Sequence, residues 1–134
     1  ITTAAQRGVE VNLFVSEQAD QFMVGHAQAS YYRELLEAGV RIWLYPKPFV
    51  LHAKHFTIDE DVCVVGTSNM DMRSFALNYE MSVMFIHEEV TRQVIEVAEG
   101  YLELSRELTL EKWRKRSFGT RFVDNAMRLT ATVQ

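Results

Sequence analysis

The sequence is short of the residues that staple and punctuate small folds. Its 134 residues include one cysteine, Cys63, and two prolines, Pro46 and Pro48, which stand two apart in a single loop. A lone cysteine excludes an internal disulfide. Its neighbours Val62, Val64 and Val65 predict a buried, unreactive thiol in a reducing compartment. No stretch reaches the roughly eighteen apolar residues that a membrane span needs, and no signal-peptide pattern is present. Internal repeats and low-complexity segments are absent as well. Positive charge is not in excess: 14 Lys and Arg against 18 Asp and Glu give a net −4, which argues against a polyanion binder as a whole.

What is there reads as an ordinary globular domain, 48% hydrophobic and 24% charged. The length suffices for one core and not for two, so residues 1–134 are expected to form a single domain. The chain opens at Ile1 in "ITTAAQRGVEV", which reads as the end of a helix entering a strand. The expectation is therefore a piece of a larger protein. Charge is unevenly spread. Lys112, Arg114, Lys115, Arg116, Arg121 and Arg128 crowd the C-terminal quarter, opposed by Glu111 and Asp124. Such a cluster fits either a solvated helix face or a phospholipid-facing patch.

Periodicity divides the chain into alternating elements. "VEVNLFV" (Val9–Val15) alternates as a strand does. Asp20 is placed to cap a helix running to Gly39, with Phe22, Met23, Ala27, Tyr31, Leu35 and Ala38 as its apolar stripe and Gly39 at its C-terminal end. "VRIWLY" (Val40–Tyr45) predicts a second strand, stopped by the prolines. "LHAKHFTID" and "VCVVGT" predict two more around an acidic turn at Asp59–Asp61. The latter is apolar on both faces, as a central strand covered by helices would be. "YEMSVMFI" (Tyr79–Ile86) is a fifth. A helix is expected from Glu88 to about Glu107 with Val90, Val94, Val97, Ala98, Tyr101 and Leu104 inward, followed by two short helices broken near Gly119. The sum is an α/β domain, a mixed sheet of about five or more strands flanked by helices on both faces.

The polar chemistry gathers in "LHAKHFTIDEDVCVVGTSN", Leu51–Asn69. On a strand, residues two apart share a face, so His52 and Lys54 are expected together, with Ala53, His55 and Thr57 opposite. An imidazole beside an ammonium repels a metal cation and suits an anion: the lysine holds negative oxygens while the imidazole attacks or moves a proton. Gly66-Thr67-Ser68-Asn69 ends the following strand, where the Ser68 hydroxyl, the Asn69 amide and backbone N–H groups can meet the same anion. Asp59 falls at the turn, on the other face from His52, and suggests a structural hydrogen-bonding role. The combination describes a phosphate site without a metal.

The spacing is His-x-Lys, four residues, Asp, six residues, then Gly, two small residues and Asn. In this it resembles the HKD motif of the phospholipase D superfamily. "YYRELLEAGVRIWLY" before the motif, "NMDMRSFALNYE" and "YEMSVMFI" after it, and the basic "WRKRSFGTRFVDNAMRL" are similar to the segments around the second HKD motif in bacterial cardiolipin synthases. The likeness spans essentially the whole chain, with Thr67 standing where Ser or Gly is also common.

The resemblance implies roles. His52 is one of two catalytic histidines, the one that protonates the leaving alcohol and deprotonates the incoming one. Lys54 and Asn69 hold the non-bridging phosphate oxygens, with Ser68 in support. Glu80 is the acidic partner that orients the histidine, and Asp59 completes the motif. The implied reaction is phosphatidyl transfer between two phosphatidylglycerol molecules through a phosphohistidine, giving cardiolipin and glycerol with no cofactor or metal. The implied partners are the phospholipid, the N-terminal HKD half of the same protein or a second copy, and a membrane surface. Nucleic acid is not expected, although single-motif members that act as dimeric nucleases offer an alternative, and a non-catalytic association unit offers another. The implied place is the cytoplasmic side of a bacterial cell membrane for the parent, with this piece itself soluble.

Other candidates have plainer readings. His55 suits a packed or capping position, His26 the edge of a core, and His87 a solvated loop beside Glu88 and Glu89. Trp43 and Trp113 are expected in packing, and "KPFVL" (Lys47–Leu51) either in the core or at an acyl-chain entrance.

Overall fold

The computed structural model describes residues 1–19 and 22–129, with the backbone alone for Phe22, Met23, Met72, Phe118 and Arg121. Asp20, expected as a helix cap, lies outside the described residues, as do the side chains of Phe22, Met23 and Arg121. The fold is α/β, with six strands in two three-stranded sheets. The chain clusters into two compact units. One comprises Ile1–Leu51 and the chain from Leu104 onward, and the other is His52–Glu103.

The first unit begins with α1 (Thr2–Gln6) and β1 (Asn12–Ser16), joined through Gly8 at φ 90°, which a side chain would strain. A crossover through α2 (Phe22–Ser30) and α3 (Tyr32–Glu37) leads to β2 (Arg41–Tyr45), parallel to β1 in the register Asn12↔Arg41 to Ser16↔Tyr45. The single helix expected here is broken at Tyr31. The Ser30 hydroxyl donates back to the Ala27 carbonyl at 2.6 Å, a local bond that competes with the helix ladder. Gly39 closes α3 at φ 95°: its N–H bonds Leu36 O and the Val40 N–H bonds Leu35 O, the two bonds of a Schellman motif.

The sheet is completed by β6 (Arg106–Leu108), antiparallel to β2. Helix was expected through Glu107. Arg and Glu are good helix formers, but pairing with β2 overrides propensity, and Glu107 sits opposite Trp43 while its carboxylate accepts from Arg41 Nε at 2.9 Å. Val15, Tyr32, Val40, Ile42, Leu44 and Leu108 form the core of this unit, with Leu35, Leu36 and Trp113 packed on it. α6 (Leu110–Arg114) is capped by Thr109 and α7 (Phe118–Arg128) by Ser117. The break between them falls at the Ser117 cap, and Gly119 lies inside α7.

The second unit is an antiparallel sheet ordered β3-β4-β5, made of β3 (His55–Ile58), β4 (Val62–Gly66) and β5 (Ser82–Ile86). Two helices accompany it, α4 (Met72–Ala76) and α5 (Glu88–Leu104). β4 is central as expected, and Cys63 is fully buried, but Val65 is exposed rather than covered. On α5 the sheltered side chains are Val90, Thr91, Val94, Ile95, Ala98 and Tyr101, four of them as expected, whereas Val97 and Leu104, expected inward, are exposed. Among the described residues no helix is long and apolar enough to cross a membrane.

Candidate active site

The motif lies wholly in the second unit, on the segments that flank the β3–β4 hairpin. β3 begins only at His55, because ladder pairing starts at His55↔Val65. The expectation that His52 and Lys54 share a strand face is therefore corrected: Leu51–Lys54 is irregular backbone. It is nevertheless tied down. The Gly66 N–H donates to Lys54 O at 3.0 Å, which joins the His-x-Lys segment to the start of Gly-Thr-Ser-Asn. Lys54 Nζ donates to the His52 carbonyl at 2.9 Å. The His52 side chain is exposed and has no hydrogen-bond partner among the described residues, so its imidazole is open to a substrate.

Gly66 is glycine for a steric reason. A Cβ there would stand 2.6 Å from Met81 O and 2.9 Å from Ser82 Cα, both backbone atoms of the adjoining strand region. The turn beyond it is fastened by short polar links. Thr67 Oγ1 donates to Glu80 Oε2 at 2.5 Å and accepts from the Met81 N–H at 3.1 Å. Ser68 Oγ donates to Asn69 O at 3.3 Å. The Asn69 N–H donates to Ser74 Oγ at 3.1 Å, and Ser74 is itself buried and donates its N–H to Asp71 Oδ1, the cap of α4.

Glu80 was expected to orient His52. In the structure its carboxylate accepts from Thr67 and Asn78 instead, the latter at 3.3 Å. The Thr67 hydroxyl, then those of Ser74 and the Asn78 amide, hold its carboxyl below the usual carboxylate range, and the Lys54 charge adds to this. Glu80 is thus a fixed anion near Lys54. Asp59 is at the hairpin turn with φ 49°, a left-handed conformation that Asp adopts more readily than most residues. Its side chain makes no hydrogen bond among the described residues, so its part in the hairpin is conformational rather than through the hydrogen bond expected. The motif spacing did not single out Thr67, Ser74 and Asn78. The signal for Ser74 was legible, since Asp71-x-x-Ser74 is a helix-capping pattern.

The remaining histidines separate cleanly. His55 packs on Tyr101 with ring centroids 6.0 Å apart, and burial lowers its pKa. His26 Nδ1 bonds Asp124 Oδ1 at 2.7 Å, and His87 is exposed ahead of α5. Phe49 and Val50 of the "KPFVL" loop are exposed, which removes the core reading of that segment.

With this geometry in hand, likeness to known proteins decides the family. The family described as "Cardiolipin synthase, PLD-like domain" matches residues 1–102. The chain belongs to that family. It is 37% identical over 129 residues to "Cardiolipin synthase 2" of Bacillus anthracis, covering 96% of this chain and 25% of the relative. "Cardiolipin synthase" of Clostridium perfringens is 38% identical over 128 residues, covering 96% of this chain and 27% of the relative. "Cardiolipin synthase A" of Proteus mirabilis is 37% identical over 124 residues, 92% of this chain and 25% of the relative. The chain thus spans about a quarter of the length of these relatives. Among solved structures, Nuc from Salmonella typhimurium, a phospholipase D family member, superposes with a TM-score of 0.69 at 17% identity, over 81% of this chain and 70% of that one. The phospholipase D-like fold of the family is therefore that of this chain.

Proposed function

We propose that this chain supplies one half of a phosphatidyltransferase active site. The reading rests on one conjunction: a complete HKD constellation, His52, Lys54, Asp59 and Asn69, in a chain 37–38% identical over most of its length to proteins named cardiolipin synthases. In the first step a histidine of a second HKD half attacks the phosphorus of phosphatidylglycerol. The P–O bond to glycerol breaks, and His52 delivers the proton that the departing alkoxide takes up. In the second step His52 removes the proton from a hydroxyl of a second phosphatidylglycerol. That oxygen attacks the phosphohistidine, the P–N bond breaks, and cardiolipin leaves. Lys54 and the Asn69 amide, doubled by their counterparts, carry the charge on the non-bridging oxygens. Glu80, with Thr67, keeps an acidic group beside Lys54 and holds the Gly-Thr-Ser-Asn turn in place. The reaction would take place at a membrane surface, where its substrates reside.

The test is complementation. The chain alone is expected to be nearly inactive, and co-expression with an N-terminal HKD half is expected to restore phosphatidyl transfer, lost again in His52→Ala. Robust DNA cleavage by a purified homodimer would replace this reading with a nuclease. Undiminished cardiolipin synthesis in a full-length His52→Ala variant would mark the chain as a non-catalytic association unit.

A further inference from the structure

The first unit contains a cavity of about 800 Å³ lined by none of the HKD motif residues. It opens at the C-terminal ends of the parallel strands β1 and β2, where Ser16 is the last paired residue of β1 and Glu17 and Lys47 lie just beyond the strands. Ligands of α/β sheets bind by preference at those strand ends. β6 delivers Arg106 to the same place, opposite Leu44, and the α6–α7 segment delivers Lys112 and Arg116.

The lining is charged against the trend of the molecule. The chain carries a net −4, yet among the described residues four cationic side chains, Lys47, Arg106, Lys112 and Arg116, line this cavity against two carboxylates, Glu17 and Asp124. Both carboxylates already serve arginines. Glu17 accepts from Arg106, and Asp124, 2% exposed, accepts from Arg116 Nη1 at 2.6 Å and bonds His26 Nδ1 at 2.7 Å. Arg116 is further held on the face of Trp113, 3.0 Å from the ring centroid. The arginines are thereby pre-positioned, while Lys47 and Lys112 form no salt bridge among the described residues. A concave surface with one sign of charge in excess concentrates the opposite ion. Beside the cations stand neutral groups suited to hydroxyl recognition: Gln28, whose Nε2 donates to the Tyr32 hydroxyl at 2.6 Å, and Thr120.

We propose that this cavity, lined by first-unit residues and by none of the HKD motif, is an anion site that takes a phosphate group carrying a small polar substituent. The guanidinium N–H groups not engaged by Glu17, Asp124 and the Trp113 carbonyl can donate to phosphate oxygens, the lysines add point charge, and the volume exceeds what a bare ion fills. Neither the catalytic assignment of His52 nor the identity of the transferred group enters this inference.

The test uses the full 134-residue chain. Intrinsic tryptophan fluorescence in a Trp43→Phe background, which leaves Trp113 as the reporter, and titration calorimetry follow the addition of inorganic phosphate, of sn-glycerol 3-phosphate, and of phosphatidylcholine vesicles containing phosphatidylglycerol. Saturable binding is expected, unchanged in His52→Ala and weakened at least tenfold in the Lys47→Gln/Lys112→Gln double variant. Both lysines are exposed, so that variant is expected to keep the circular dichroism of the parent chain. Saturation by a soluble phosphate marks a small-molecule source, and saturation by vesicles alone marks a lipid headgroup. Absence of saturation with all three probes overturns the proposal. So does binding that His52→Ala abolishes, or binding that the double lysine variant leaves intact.

Discussion

At the scale of single residues, the candidate site depends on how the turn after β4 is held. Thr67 is the joint, because its hydroxyl donates to Glu80 and accepts from the Met81 backbone. Thr67→Ser preserves both bonds and is expected to keep most of the phosphatidyl transfer that we propose for the assembled protein. Thr67→Val removes them and is expected to lower kcat by about tenfold or more, since a removed bond to a charged group is worth on the order of 1.5–3 kcal/mol. Equal activity in the two variants would deny Thr67 a positioning role. Gly66→Ala forces a Cβ against backbone and is expected to cost about 1–3 kcal/mol of stability in urea unfolding. His55 titrates in the opposite sense to a stabilised cation. Burial lowers its folded pKa below 6.5, so its contribution to stability is present above pH 6.5 and is lost as the pH falls through the folded value. Melting temperature is expected to drop between pH 7 and 5, with a smaller drop in His55→Phe. The motif stands out in the sequence because its residue types are those that the proposed phosphate chemistry would need. The partner of Glu80 was not legible, because Thr67 and Asn78 reach it only through the path of the folded turn.

At the scale of elements, local pattern was a good guide where the core agreed with it and a poor one where a single bond or pairing intervened. The strands β1, β2, β4 and β5 were all legible from alternation or apolar runs. The break at Tyr31 was not, because it depends on the Ser30 hydroxyl turning back to Ala27. β6 was hidden because three residues are too few to set a period, and only the β2 edge makes them a strand. On α5 the expected face holds at Val90, Val94, Ala98 and Tyr101 and fails at Val97 and Leu104, and the structure buries Thr91 completely with its hydroxyl unpartnered among the described residues. Thr91→Val keeps the shape and removes that desolvated group. It is expected to stabilise the protein by about 1 kcal/mol, measured by chemical denaturation. A loss of stability would mean that the hydroxyl has a partner in solution.

At the scale of the whole molecule, the two units are unequal in sequence as well as in content. The first is discontinuous: its sheet needs β6, and its buried Asp124 lies still later in the chain. A chain ended at Glu103 is expected to lose amide protection across Asn12–Ser16 and Arg41–Tyr45 in hydrogen exchange, while the β3–β5 hairpins keep theirs. Asp124→Ala would strand the Arg116 guanidinium and is expected to cost about 3 kcal/mol, the scale of breaking a buried pair. The same arrangement sets an order on the ribosome. Chains emerge at about 5–20 residues per second, and contacts close in sequence form first. The segment that begins second, His52–Glu103, is thus the first to have all its strands in hand. The segment that begins first must wait, with Ile42 and Leu44 lacking the shelter of Leu108, until β6 has emerged. Synthesis therefore finishes the motif-bearing unit inside an unfinished host, and a nascent-chain chaperone would find its substrate in the older residues, not the newer ones.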